Sequence, residues 1–150
     1  MIYDNLIIQT EVWKKLKSYH VKEKIPNAFL FHGNNGTGKE GHAIEFISLI
    51  NCLNKKNHES CKECTSCKKM KNLQHGNLKI IHSMPRGKIK NSSDSPFKSM
   101  SDLEIEDYKA ILLKKSKNPY YKIEIPRANS ILINSIRCLR KELSLSSIEK

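Results

Sequence analysis

The sequence predicts an α/β fold on a parallel sheet, and three features point to it. A short apolar run at 28–31 ends in a glycine-rich turn, an amphipathic helix starts directly after that turn, and a second apolar run follows at 78–81. Between the helix and the second run lie four cysteines with few apolar residues among them. That stretch cannot build a hydrophobic core and must be ordered in another way.

Taken in order, residues 5–20 carry Val12, Leu16 and Tyr19 at helical spacing, with Thr10 suited to the N-cap and Trp13 to packing. Pro26 breaks the pattern, and 28–31 (AFLF) reads as a buried strand. Residues 39–53 then place Ala43, Phe46, Ile47, Ile50 and Leu53 on one helical stripe. A short helix is expected around 68–73, and 78–81 (LKII) reads as the second strand. The stretch 83–100 has Pro, Gly and Ser without periodicity and reads as a loop. Ser101 and Glu104 have capping-box spacing and open a helix to about Lys117. NPYYKIEIP is extended or turned, and a last helix starts near Asn134 with Ile136, Leu139 and Leu143 three and four residues apart. No internal repeat is present. The chain divides into 1–51, 52–75 with the cysteines, and 76–150, with the loop at about 83–100.

A chain of 150 residues fits one domain with room for a core. Its hydrophobic content of 38% lies below the roughly 45–50% of typical domains, so polar residues are in excess. No stretch approaches the roughly 20 apolar residues that span a bilayer. The opening MIYDNLIIQTEV lacks a basic segment followed by an apolar one, so a cytoplasmic protein without a membrane partner is expected. The net charge of +12 has two readings, a lysine-rich solvated surface or attraction to a polyanion such as nucleic acid.

Gly33-Asn34-Asn35-Gly36-Thr37-Gly38-Lys39-Glu40 matches G-x-x-x-x-G-K at every fixed position, between a strand-like run and a helix. In such a P-loop, successive backbone N–H groups and the helix N-terminus cradle phosphate oxygens, and the lysine reaches the outer phosphates. The position after Lys39 departs from the pattern. A P-loop ATPase has Ser or Thr there, whose hydroxyl ligates Mg²⁺, and here it is Glu40. A carboxylate facing the phosphates would repel them by about 4 kcal/mol at roughly 4 Å and an effective dielectric near 20. Alternatively Glu40 turns away and complements the helix dipole. Either way nucleotide binding is weakened, hydrolysis is not expected, and no catalytic residue is assigned.

Cys52, Cys61, Cys64 and Cys67 form C-x8-C-x2-C-x2-C. Cysteines at this density in a chain without a secretory signal point to metal rather than disulfides. Four sulfurs suit tetrahedral Zn²⁺ in a closed structural site, and they also suit an iron–sulfur cluster. His58 and His75 are alternative fourth ligands, while Cys138 reads as a half-buried residue of the last helix.

The order of these features resembles one family. A segment containing Gln9, then NAFLFHGNNGTGKE, a helix ending in Cys52, and the triple-cysteine module is similar to bacterial DNA polymerase III clamp-loader subunits of the gamma/tau and delta-prime kinds. NLQHGNLKII and ILINSIRCLRKEL resemble later segments of that family, whereas 83–128 resembles it only loosely. The resemblance implies a partial P-loop AAA+ domain with an incomplete parallel sheet and an inserted zinc module. In that topology the strands at 28–31 and 78–81 are not neighbours. The family continues past the equivalent of Lys150, so the chain is expected to be a fragment.

The resemblance further implies zinc at Cys52, Cys61, Cys64 and Cys67, and weak ATP binding at 33–40. The implied partners are gamma/tau and delta subunits, with the sliding clamp and primed DNA reached through the complex. The degenerate P-loop favours delta-prime, a structural member that does not hydrolyse ATP. Two other readings stay open, an active gamma/tau-like ATPase and a stand-alone zinc module that binds nucleic acid. Glu40 speaks against the first, and the lack of aromatic residues between Leu49 and Ile81 against the second.

Overall fold

In a computed structural model of the chain, residues 1–86, 91 and 94–144 are described. They fall into two compact units, Met1–His75 with Lys115–Tyr121, and the described residues of Gly76–Lys114 and of 122–144. The first unit holds α1 (Thr10–Val21), α2 (Lys39–Asn51) and α3 (Thr65–Lys71). The second holds a 3₁₀ turn (Pro96–Ser99), most of α4 (Asp102–Lys117) and α5 (Ile133–Ser144).

The first unit is organised around α2. Trp13 and Leu16 of α1 pack on Phe46 and Leu49, with Met1, Ile8, Tyr19, Phe31 and Ile50 at the margins. Val12 and Leu53, expected on buried stripes, are exposed. The buried surface of α2 is wider than one apolar stripe, because His42, Glu45 and Ser48 are also buried. These polar groups carry bonds that apolar residues cannot make. The Glu45 carboxylate accepts the backbone N–H groups of Ile2 at 2.9 Å and Tyr3 at 2.6 Å. The Gln9 N–H donates to His42 Nε2 at 3.0 Å, which leaves Nδ1–H to donate to the Gly38 carbonyl at 2.9 Å. The first nine residues are thereby tied along α2. The N-cap of α1 is Gln9 rather than Thr10, without a side-chain capping bond.

Residues 28–31 form no strand and have no ladder partner. Phe29 meets Tyr19 and Phe46 edge-on at ring separations of 5.6 and 5.4 Å, while Leu30 beside it is 88% exposed. The buried strand expected here is not formed: Ala28, Phe29 and Leu30 are all exposed, and aromatic contacts hold Phe29 where no pairing does. The segment 78–81 likewise joins no sheet. Among the described residues the only β pairings are isolated bridges, Lys56 with Glu59 and Met84 with Ser130.

In the second unit, Met84, Met100 and Leu132 form a small core with Ile105, Tyr108 and Ile125 around it. The capping box of α4 is formed: the Glu104 carboxylate accepts from Ser101 N at 2.9 Å, and Ser101 Oγ accepts from Glu104 N at 3.4 Å. Part of the expected loop, at 87–90 and 92–93, lies outside the described residues. Ile136 and Leu143 of α5 are exposed, so its apolar stripe is only partly covered.

Glu45 supplies a direct test of this packing. Glu45→Ala leaves two buried N–H groups without acceptors, and a loss of about 2–4 kcal/mol is expected in urea unfolding. Burial holds the Glu45 carboxyl above its ordinary range, against the pull of the two N–H groups. The contribution of this titration to stability is therefore full below the ordinary glutamate value and is lost as pH rises through the raised one. The alanine variant should lack that slope.

Candidate metal centre

The C-terminal end of α2 delivers the first sulfur. Cys52 follows the last helical residue, is buried and has extended backbone. The chain then turns and returns Cys61, Cys64 and Cys67, and the four Sγ atoms all lie within 4.8 Å of one another. Zinc–sulfur bonds of about 2.3 Å in a tetrahedron put sulfurs about 3.8 Å apart, and Cys61 and Cys67 stand at 4.0 Å.

Backbone N–H groups point at the sulfurs in sequence. Cys61 N donates to Cys52 Sγ at 3.3 Å, Cys64 N to Cys61 Sγ at 3.3 Å, and Cys67 N to Cys64 Sγ at 3.4 Å. The last of these also caps α3, which is why that helix begins at Thr65, earlier than its composition suggests. Ser48 of α2 donates to Cys67 Sγ at 3.9 Å. Lys62 takes a left-handed φ of 66° inside the Cys61–Cys64 turn, the bend that brings these N–H groups round.

The thiols divide by environment. Burial raises Cys52 and pushes Cys67 up to about 12. The Cys64 N–H lowers Cys61. Burial works against Cys64, yet the N–H groups of Cys67 and Leu53 and the neighbouring thiols bring it down to about 6. Cys64 is thus disposed to be a thiolate, while Cys52 and Cys67 hold their protons until a cation displaces them.

His58 and His75 do not join the group. His58 is exposed beside the His20 ring, and His75 is buried with Nε2 at 3.0 Å from Ser66 Oγ. Cys138 lies in the other unit, half-buried on α5. Among the described residues, the four cysteines are the one cluster able to hold a metal ion. Four soft sulfurs with no fifth position are compatible with zinc.

At the other end of α2, the loop 33–39 is exposed apart from Gly38 and the half-buried Lys39. Gly38 is the N-cap with φ 74°, and a Cβ there would stand 2.9 Å from Leu6 Cδ1 and 3.0 Å from Tyr120 Cε1, so only glycine fits. Lys39 Nζ donates to the Gly33 and Asn34 carbonyls, each at 3.2 Å, and Thr37 Oγ1 to Asn34 O at 3.0 Å. Asn35 and Gly36 complete the turn. Glu40 Oε2 accepts from Lys115 Nζ at 2.5 Å, and that lysine is buried to 2% exposure and also donates to Pro119 O at 2.9 Å. Lys115 was not foreseen from the sequence. Its only local signal is a lysine at the C-terminal end of an amphipathic helix, where solvent is the usual destination.

A family model described as DNA polymerase III, delta subunit, matches residues 8–150. The chain belongs to that family. This DNA polymerase III delta subunit family supports a role in the clamp-loader complex, alongside its other subunits. Comparison with curated proteins and with solved structures found no match. No helix among the described residues is long and apolar enough to cross a membrane.

Zinc titration tests the centre. Cys64→Ser should weaken zinc binding by at least about 100-fold, since losing a ligand costs no less than losing an outer partner. Zinc uptake near neutral pH should release protons, from Cys52 and Cys67 at least. Calorimetry in buffers of different ionisation enthalpy measures this, and an uptake that releases none would contradict the thiol assignment.

Proposed function

We propose that this chain is a structural, non-hydrolysing subunit of the clamp loader, of the delta-prime kind, built on a partial P-loop AAA+ domain. The observation that carries the reading is the identity and engagement of Glu40. Hydrolysis needs positioned phosphates, a Mg²⁺ held by a hydroxyl and an acidic residue, and a group that orients water. The segment 33–39 offers the first. At the second, Glu40 replaces the hydroxyl, and its carboxylate is already bonded to Lys115.

Gly33, Asn34, Asn35, Gly36, Thr37, Gly38 and Lys39 would hold nucleotide phosphates weakly, through backbone N–H groups and the lysine. Zinc, held by Cys52, Cys61, Cys64 and Cys67, has a structural role: four protein sulfurs leave no position for water, and the metal supplies the cross-link that orders 52–67. In this reading the subunit is cytoplasmic, its direct partners are the gamma/tau and delta subunits, and the sliding clamp and primed DNA are met through the complex. The +12 charge supports proximity to DNA, with any contact non-specific and weakened by salt.

Steady-state ATPase assays test the reading. The native chain should show no turnover above background, and Glu40→Thr should not create it, because a hydroxyl alone supplies neither an acidic Mg²⁺ partner nor a group that orients water. Lys39→Ala should abolish whatever nucleotide binding is measured. Turnover by the native chain that depends on Lys39 would replace the structural subunit with a motor subunit.

A further inference from the structure

The Glu40–Lys115 pair bears on how the loop 33–39 meets phosphate, an inference that rests on the nucleotide-binding reading above. A carboxylate after the P-loop lysine raises two expectations: it repels phosphate, or it takes a Mg²⁺ in place of the missing hydroxyl. Neither fits the groups around it. Glu40 Oε2 is already 2.5 Å from the ammonium of Lys115, which also donates to Pro119 O at 2.9 Å. An ammonium has donors and no lone pair, so it cannot share in coordinating a metal. A Mg²⁺ on that carboxylate would stand beside a buried, like-charged group.

Nor is Lys115 free to withdraw. Its side chain is buried, and the residues that follow it, Pro119 and Tyr120, lie against Gly41 and Gly38 at the start of α2. Tyr120 OH accepts from Ile7 N at 2.7 Å, and Tyr120 N donates to Asn118 Oδ1 at 3.0 Å. A Cβ on Gly41 would stand 2.8 Å from Pro119 Cβ, so the absence of a side chain there lets the segment lie against the helix.

We infer that Lys115 is a resident cation which neutralises Glu40, so that this loop binds nucleotide phosphates without needing Mg²⁺. The charges at the site then sum in favour of an anion. Lys115 cancels Glu40, and Lys39 and the N-terminus of α2 remain as uncancelled positive charge. Lys115 is a positioning residue here, acting on phosphate through Glu40.

Calorimetric titration of the full chain with ATP, in excess EDTA and again in millimolar MgCl₂, tests this. The native chain should give dissociation constants within about threefold in the two conditions. Lys115→Met bares the Glu40 carboxylate. It should weaken ATP binding in EDTA by about tenfold or more, with recovery in MgCl₂ once that carboxylate can hold the metal. The double variant Lys115→Met with Glu40→Gln should regain metal-independent binding. Should Lys115→Met fail to fold by circular dichroism, Glu40→Thr decides. It leaves the ammonium uncancelled and should bind ATP in EDTA at least as tightly as the native chain. Native binding that requires Mg²⁺ would overturn the inference and leave the nucleotide site standing. An unchanged Lys115→Met would overturn it as well. A native chain that binds no ATP in either condition would remove the nucleotide reading, and this inference with it.

Discussion

Helix α2 is buried on nearly every side, and the arrangement of the first unit follows from that burial. A helix covered all round cannot leave polar side chains to solvent, so each must be satisfied by a partner that comes to it. Glu45 takes the N–H groups of Ile2 and Tyr3, His42 bridges Gln9 and Gly38, and Ser48 reaches Cys67. These bonds place the N-terminal segment and the cysteine turn against the same helix. The glycine-rich loop and Cys52 sit at its two ends, so one rigid rod fixes both the candidate phosphate site and the first metal ligand.

The cysteine cluster extends the same logic to a region without a core. Between Cys52 and Cys67 only Leu53 is a large apolar residue, and it is exposed. Ordering so polar a stretch costs chain entropy that apolar burial does not return. The N–H groups aimed at Cys52, Cys61 and Cys64 already shape a site for a cation, and a bound zinc would close the remaining loop. Surface ion pairs of Asp4 with Lys62 and Lys71 also link this turn to the N-terminal segment, but exposed pairs of this sort contribute little.

The segments 28–31 and 78–81 show the opposite case, where a local pattern is present in the sequence and its partners are not. Phe29 and Phe31 reach the core while Leu30 faces out, and no neighbouring strand takes up the backbone groups among the described residues. A strand is a cooperative object. Its sequence can state the pleat, but the hydrogen bonds that make it part of a sheet belong to another segment.

Spacing alone determined the features that depend on a few adjacent residues. The cysteine set, the glycine-rich turn before α2, the capping box of Ser101 and Glu104, and the helices near 10–21, 39–51 and 102–117 were all legible because their geometry is local. Tertiary structure decided what depends on distant partners. Leu16 and Phe46 are buried as their helical period implied, whereas Val12 of the same period is exposed and Leu53 lies past the end of α2. Nothing in the sequence singled out His42 and Glu45, whose partners are the backbone groups of the N-terminal segment. Glu40 could have faced the phosphates, a metal or solvent, and the choice fell to Lys115, 75 residues along the chain. A side chain's period can be read from its own helix, whereas the charge that will stand beside it depends on how the rest of the chain folds back.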